Sequence, residues 1–139
     1  MNIHEILSRA LTVPSQLVII PISSIAWFAV CDGVANMDLT GETFVMDLVP
    51  GSLAFRDEAS DGIYKKAVTA TIADTGTQSV HRLEILSVSD VIAVFVDGRN
   101  IVRVCGSPDY PAKLSYEVAN GYVSLSLAAT GVQPNPALP

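Results

Sequence analysis

Two runs of alternating apolar and polar residues, 112–118 and 122–129, meet at Asn120-Gly121. In the first, Ala112, Leu114, Tyr116 and Val118 alternate with Lys113, Ser115 and Glu117; in the second, Val123, Leu125 and Leu127 oppose Ser124 and Ser126. A period of two marks a half-buried strand, and Asn-Gly between two such runs favours a type I′ turn, because both residues tolerate positive φ. The unit predicts an antiparallel hairpin. A chain assembled from such units is confined to a small set of sheet folds.

The pattern recurs along the chain. Residues 43–49 set Phe44, Met46 and Leu48 against Thr43 and Asp47. Segments 91–96 and 101–105 flank Asp97-Gly98-Arg99-Asn100 as a second hairpin, and 64–73 and 80–88 are joined across Asp74-Thr75-Gly76-Thr77. The apolar stretch 17–31 is short for a membrane span and is interrupted by Pro21 and Ser23-Ser24. Ahead of it stand His4 and Glu5 rather than a basic cluster, so no signal peptide is expected and the protein is placed inside a cell, or in a particle assembled there. Rich in Val, Ile, Trp and Phe, the stretch reads as two buried strands, 16–22 and 25–31, with Trp27 inside. The expected fold is all-β, an antiparallel β-barrel or β-sandwich of about nine strands, since the connections are too short for parallel crossovers.

One segment has helical character. Asn2 and Glu5 have capping-box spacing, and Ile3, Ile6, Leu7, Ala10 and Leu11 share a helical face before Pro14. This short N-terminal helix either lids the end of the fold or docks into a neighbouring subunit. The chain of 139 residues is then a single domain: a helical segment 1–14, a β core 15–131 and a Pro-rich tail 132–139. The tail, barred by its prolines from a central strand, is expected to be disordered or laid along a neighbour. Two longer connections, 32–42 and 50–62, are candidate binding loops.

Charge narrows the function classes. A net charge of −6 with eight scattered Lys and Arg opposes both the nucleic-acid backbone and an anionic membrane surface, so neither is expected as a direct partner. Charged residues make up only 16% while apolar ones reach 50%, a surplus that suggests burial between subunits. Cys31 and Cys105 lack metal-ligand spacing and sit in apolar surroundings, as reduced, buried small hydrophobes. The acidic residues of 50–62, Asp57, Glu58 and Asp61, do not follow the alternation of a calcium loop and are read as solvated turn charge.

Catalytic groupings are sparse. The histidines are His4 and His81, and no phosphate-binding loop, HExxH, GxSxG or CxxC occurs. His81 with Glu84 or Asp90 is the one conceivable acid–base set, and a surface or interstrand histidine is the simpler reading. No catalytic, cofactor-binding or metal-binding residue is assigned, no cofactor is expected, and the chain is read as a non-enzyme. Arg103 shares a strand face with Ile101 and Cys105; it either pairs with an acid across an interface or extends to solvent at a strand edge.

Residues 61–118 carry DGIYKKAVTATI, HRLEIL and VIAVFVDGRNIVRVCGSPDYPAKLSYEV. This order resembles small β-rich structural proteins of tailed bacteriophages and prophages, with Tyr64, Asp97, Gly98, Arg103, Gly106, Pro111 and Leu114 as the matching positions. The resemblance implies a neck, tail-tube, tail-completion or head–tail connector component. Its partners would be further copies, as a homo-oligomer or ring, and other particle proteins, and its location the host cytoplasm and then the particle. The alternative is a β-barrel or sandwich module binding a small ligand or carbohydrate, against which stands an aromatic content of only 6%.

Overall fold

Two Asp-Gly pairs set up the local structure. Asp32-Gly33 (φ +52° and +75°) and Asp61-Gly62 (φ +53° and +79°) both lie in the left-handed region. Two consecutive positive φ angles form the tight turn whose twist matches paired strands. Strand β2 (Ile25–Cys31) thus folds onto β3 (Val34–Leu39), and β5 (Ala54–Ser60) onto β6 (Ile63–Ile72), with Cys31 opposite Val34 and Ser60 opposite Ile63. The two connections read as loops, 32–42 and 50–62, therefore contain strands.

The computed structural model describes residues 16–73, 75–97, 99, 101–131 and 134–137. The expected helix within 1–14 lies outside these residues. Beside the strands named above run β1 (Gln16–Pro21), β4 (Phe44–Asp47), β7 (Val91–Val96), β8 (Val102–Cys105), β9 (Lys113–Ala119) and β10 (Tyr122–Gly131). The protein is mostly β, with three antiparallel sheets ordered β4-β1-β7-β8, β5-β6-β10-β9 and β2-β3, none closed into a barrel. The order is not that of a simple meander, because β1 lies between β4 and β7, and β6 pairs with β10 across most of its length. The β9–β10 hairpin forms as expected, with Ala119 opposite Tyr122. Only Gly121 takes positive φ, so its turn is not type I′.

Of segment 80–88, expected as a strand, residues 80–87 lie instead in helix α1 (Thr77–Ser87), with Val88 just past its end. A strand would place Arg82 and Glu84 on one face with Val80 and Leu86. A helix gathers Val80, Leu83 and Leu86 on one side, and these pack into the core while Ile85 and Val88 stay exposed.

Strands β1 and β7 explain the apolar surplus. Leu17 and Ile19 of β1 and Val91, Ala93 and Phe95 of β7 pack against Val68, Ala70 and Ile72 of β6 and Val123, Leu125 and Leu127 of β10. Their other faces, Val18, Ile20, Ile92 and Val94, meet Ala35, Met37 and Leu39 of β3. Covered on both sides, these strands are apolar at nearly every position, and every residue of β7 is buried. β2 is not the buried strand expected. It forms the outer rim of its hairpin, and Trp27 is 53% exposed.

Candidate functional site

Both candidate surfaces lie around the β2–β3 hairpin. The first is where the proline-rich segment meets the sheets. Asp97 directly follows β7 and caps the turn: its Oδ1 accepts from the backbone N–H of Arg99 (2.8 Å) and Ile101 (3.0 Å), and its Oδ2 accepts from Arg103 Nε at 3.2 Å. The side chain is 5% exposed. Burial disfavours its ionised form, but the N–H groups of Ile101 and Arg99, with the Arg103 guanidinium, outweigh that and hold the carboxyl below the usual carboxylate range. Arg103 thus has its acid within its own chain, across the hairpin, rather than across an interface or out in solvent.

From there Arg103 Nη1 donates to the Asn135 carbonyl at 3.3 Å, and Asp57 Oδ2 accepts from the Asn135 N–H at 2.6 Å. Val104 N–H donates to the Pro136 carbonyl, Ala35 N–H to the Ala137 carbonyl and Ala137 N–H to the Gly33 carbonyl, at 2.8–2.9 Å. Ala137 bridges β3 on one side and β8 on the other. Contrary to the expectation of a disordered or neighbour-bound tail, 134–137 fills a slot within its own chain. The prolines are tolerated because the segment donates only through Asn135 and Ala137 and otherwise accepts.

Two clefts flank this segment. One, about 410 Å³, is bounded by Phe55, Asp57, Asp97, Arg103 and Asn135; the other, about 280 Å³, by Phe28, Val30, Lys66, Tyr110 and Pro136. Lys66 sits opposite Asp57 in the β5–β6 register and is 7% exposed. Burial lowers its pKa, with Asp57 and then Cys105 pulling the other way. The buried Cys105 thiol is pushed up to about 11, chiefly by burial, with Lys66 opposing and Asp57 adding. Cys31, expected to be buried, is exposed; both thiols are free.

The second surface is the edge of β2 that no strand covers among the described residues. Edge strands expose unpaired N–H and C=O groups, and proteins usually protect them with charge, proline or brevity. β5 carries Arg56, Asp57 and Glu58, β9 carries Lys113 and Glu117, β4 has four residues, and β8 is covered by the 134–137 segment. β2, with the sequence IAWFAVC, has no charge, proline or glycine over seven residues, and β3 is its one strand neighbour among the described residues.

The groups considered for acid–base chemistry do not converge. His81 lies on α1 rather than a strand, with its Nδ1 3.8 Å from Glu84 Oε2 and both side chains exposed, while Asp90 pairs with Lys113. Asp57 and Glu58 sit on β5, where neighbouring side chains point to opposite faces. Among the described residues no group of three or more His, Cys, Asp or Glu is placed to hold a metal, and no helix is long and apolar enough to cross a membrane. Comparisons with protein-family models, with curated proteins and with solved structures return no match.

Proposed function

We propose that the protein is a non-enzymatic assembly module that acts through protein–protein interfaces, with the open edge of β2 as its first docking surface. The observation that carries this reading is the contrast among edges: among the described residues β4, β5, β8 and β9 are short, charged or covered, and β2 is none of these while presenting Trp27. A strand of this kind accepts another by main-chain hydrogen bonding, and large aromatics contribute disproportionately to interface energy. The uncharged edge suits an equally apolar strand, and a second copy of β2 supplies one, in an antiparallel pairing related by a twofold axis. The stacked sheets are best described, on this reading, as an open sandwich extended at the β2 edge.

The resemblance of residues 61–118 puts such a module in a tailed-phage tail or head–tail connector, with further copies and other particle proteins as partners. Solution mass across a concentration series tests the reading. Wild type is expected to form a defined oligomer that Trp27→Lys dissociates; a wild-type monomer from micromolar to millimolar concentration contradicts it. The cleft beside Lys66 favours the small-ligand alternative, at about 280 Å³ close to the lower end of ligand-site sizes. That alternative predicts a monomer whose thermal midpoint rises with ligand.

A further inference from the structure

We propose that the cleft beside Lys66 is a binding site for a small organic carboxylate, whose anionic head meets the Lys66 ammonium while its apolar body lies against Phe28, Val30 and Pro136. This rests on the small-ligand reading of that cleft and does not require pairing at the β2 edge.

Lys66 stands where a lysine is costly. Along β6 it shares a face with Val68, Ala70 and Ile72, all packed in the core, so the period of two sends its side chain between the sheets. Only 7% of Lys66 is exposed, whereas Lys65 beside it faces out. Its neighbour on β10 is Ala129, which offers no side-chain partner. Asp57, its neighbour on β5, spends Oδ2 on the Asn135 N–H and leaves Oδ1 without a hydrogen-bond partner, so the ammonium does not turn to it. Lys66 makes no ion pair or hydrogen bond among the described residues. A buried cation without a counter-charge in contact is unfavourable, and an anion seated at Nζ relieves it. Burial already disfavours the charged amine, and direct pairing with a carboxylate acts in the opposite sense.

The cleft supplies the rest of the site. Lys66 is the one cation among its lining residues; the one acid there, Asp109, is exposed, and water screens its charge more than that of Lys66. A single cation with an acid on the same cleft suits a monoanion better than a phosphate or a dicarboxylate. One wall is the 106–110 loop, which its own hydrogen bonds hold in shape. Ser107 N–H donates to the Tyr110 carbonyl at 3.1 Å, and Tyr110 N–H donates to the Ser107 carbonyl at 3.2 Å and to Ser107 Oγ at 3.1 Å. Phe28 and Val30 of β2, with Pro136 of the docked segment, add apolar surface. A volume of about 280 Å³ with one charged group among apolar walls fits a compact ligand that has one charged end.

Amide chemical-shift titration of the isotope-labelled full chain tests this, with benzoate and isovalerate as probes and benzyl alcohol and isoamyl alcohol as their neutral matches. Saturable shifts are expected at Lys66, Ser107 and Tyr110, with each carboxylate binding about tenfold or more tightly than its alcohol, the worth of one charge-assisted hydrogen bond. Lys66→Met keeps a long unbranched side chain without the charge, and it is expected to fold and to abolish that preference. Should the variant not fold, the comparison of probes on wild type decides alone. Equal affinity for carboxylate and alcohol, or a preference that survives Lys66→Met, overturns the carboxylate site and leaves the cleft to a neutral ligand. No saturable shift in the cleft with any of the four probes overturns the small-ligand reading as well.

Discussion

Asp97 shows how one side chain organises the site. Its three accepted hydrogen bonds close the β7–β8 turn and aim Arg103 at the 134–137 segment. Because its folded pKa lies below the unfolded value, the carboxylate's stabilising contribution is fully present above about pH 3.9 and is lost as pH falls through the folded value. Asp97→Asn is expected to cost about 1–3 kcal/mol at neutral pH, with the gap to wild type closing in acid. Urea denaturation at both pH values checks this. The cysteines provide a second test: at mildly alkaline pH a thiol reagent should modify exposed Cys31 quickly, and Cys105 only after denaturant is added. Simultaneous modification of both in the native protein would contradict the packing. Cys105 was legible as a buried hydrophobe. Cys31 was not, because an apolar strand reads alike whether it lies in the middle layer or at the rim.

At the scale of elements, alternation located β4, β9 and β10, where one face is buried, while the apolar run gave β1 and β2 and turn signals gave β6, β7 and β8. The same reading misplaced α1, since Val80 to Val88 contains enough β-branched and apolar residues to resemble a strand until their three-residue spacing is counted. Leu83→Ala should cost about 2–5 kcal/mol while Ile85→Ala stays within about 0.5 kcal/mol. A strand would put those two residues on the same face and make their costs similar, so paired denaturation curves decide. β3 and β5 were concealed by the acidic and polar residues of outer hairpins, although Asp32-Gly33 and Asp61-Gly62 carry the hairpin signal. Gly106, one of the positions of the phage resemblance, holds φ +97° with the Ala112 N 3.1 Å from where a Cβ would stand. Gly106→Ala is therefore expected to destabilise by about 1–3 kcal/mol, measured by thermal or urea unfolding.

For the whole molecule, the apolar surplus has two destinations. Part is taken up by β1 and β7, which are covered on both faces, and part surfaces at scattered positions, among them Trp27 on β2, Ile63, Val88 and Val118. Sequence reading recovered the all-β class but not the sheet order, because β1–β7 and β6–β10 join segments far apart in the chain and no local turn specifies them. The docked 134–137 segment was invisible for a related reason: its partners, Asp57, Arg103 and Ala35, lie 32 to 102 residues away along the chain, with proline a poor strand former. Amide hydrogen exchange along β2 as a function of protein concentration tests the assembly claim most directly. If the edge pairs with a second copy, its outward amides exchange rapidly in dilute solution and become protected as concentration rises; protection that does not change with concentration would contradict the account.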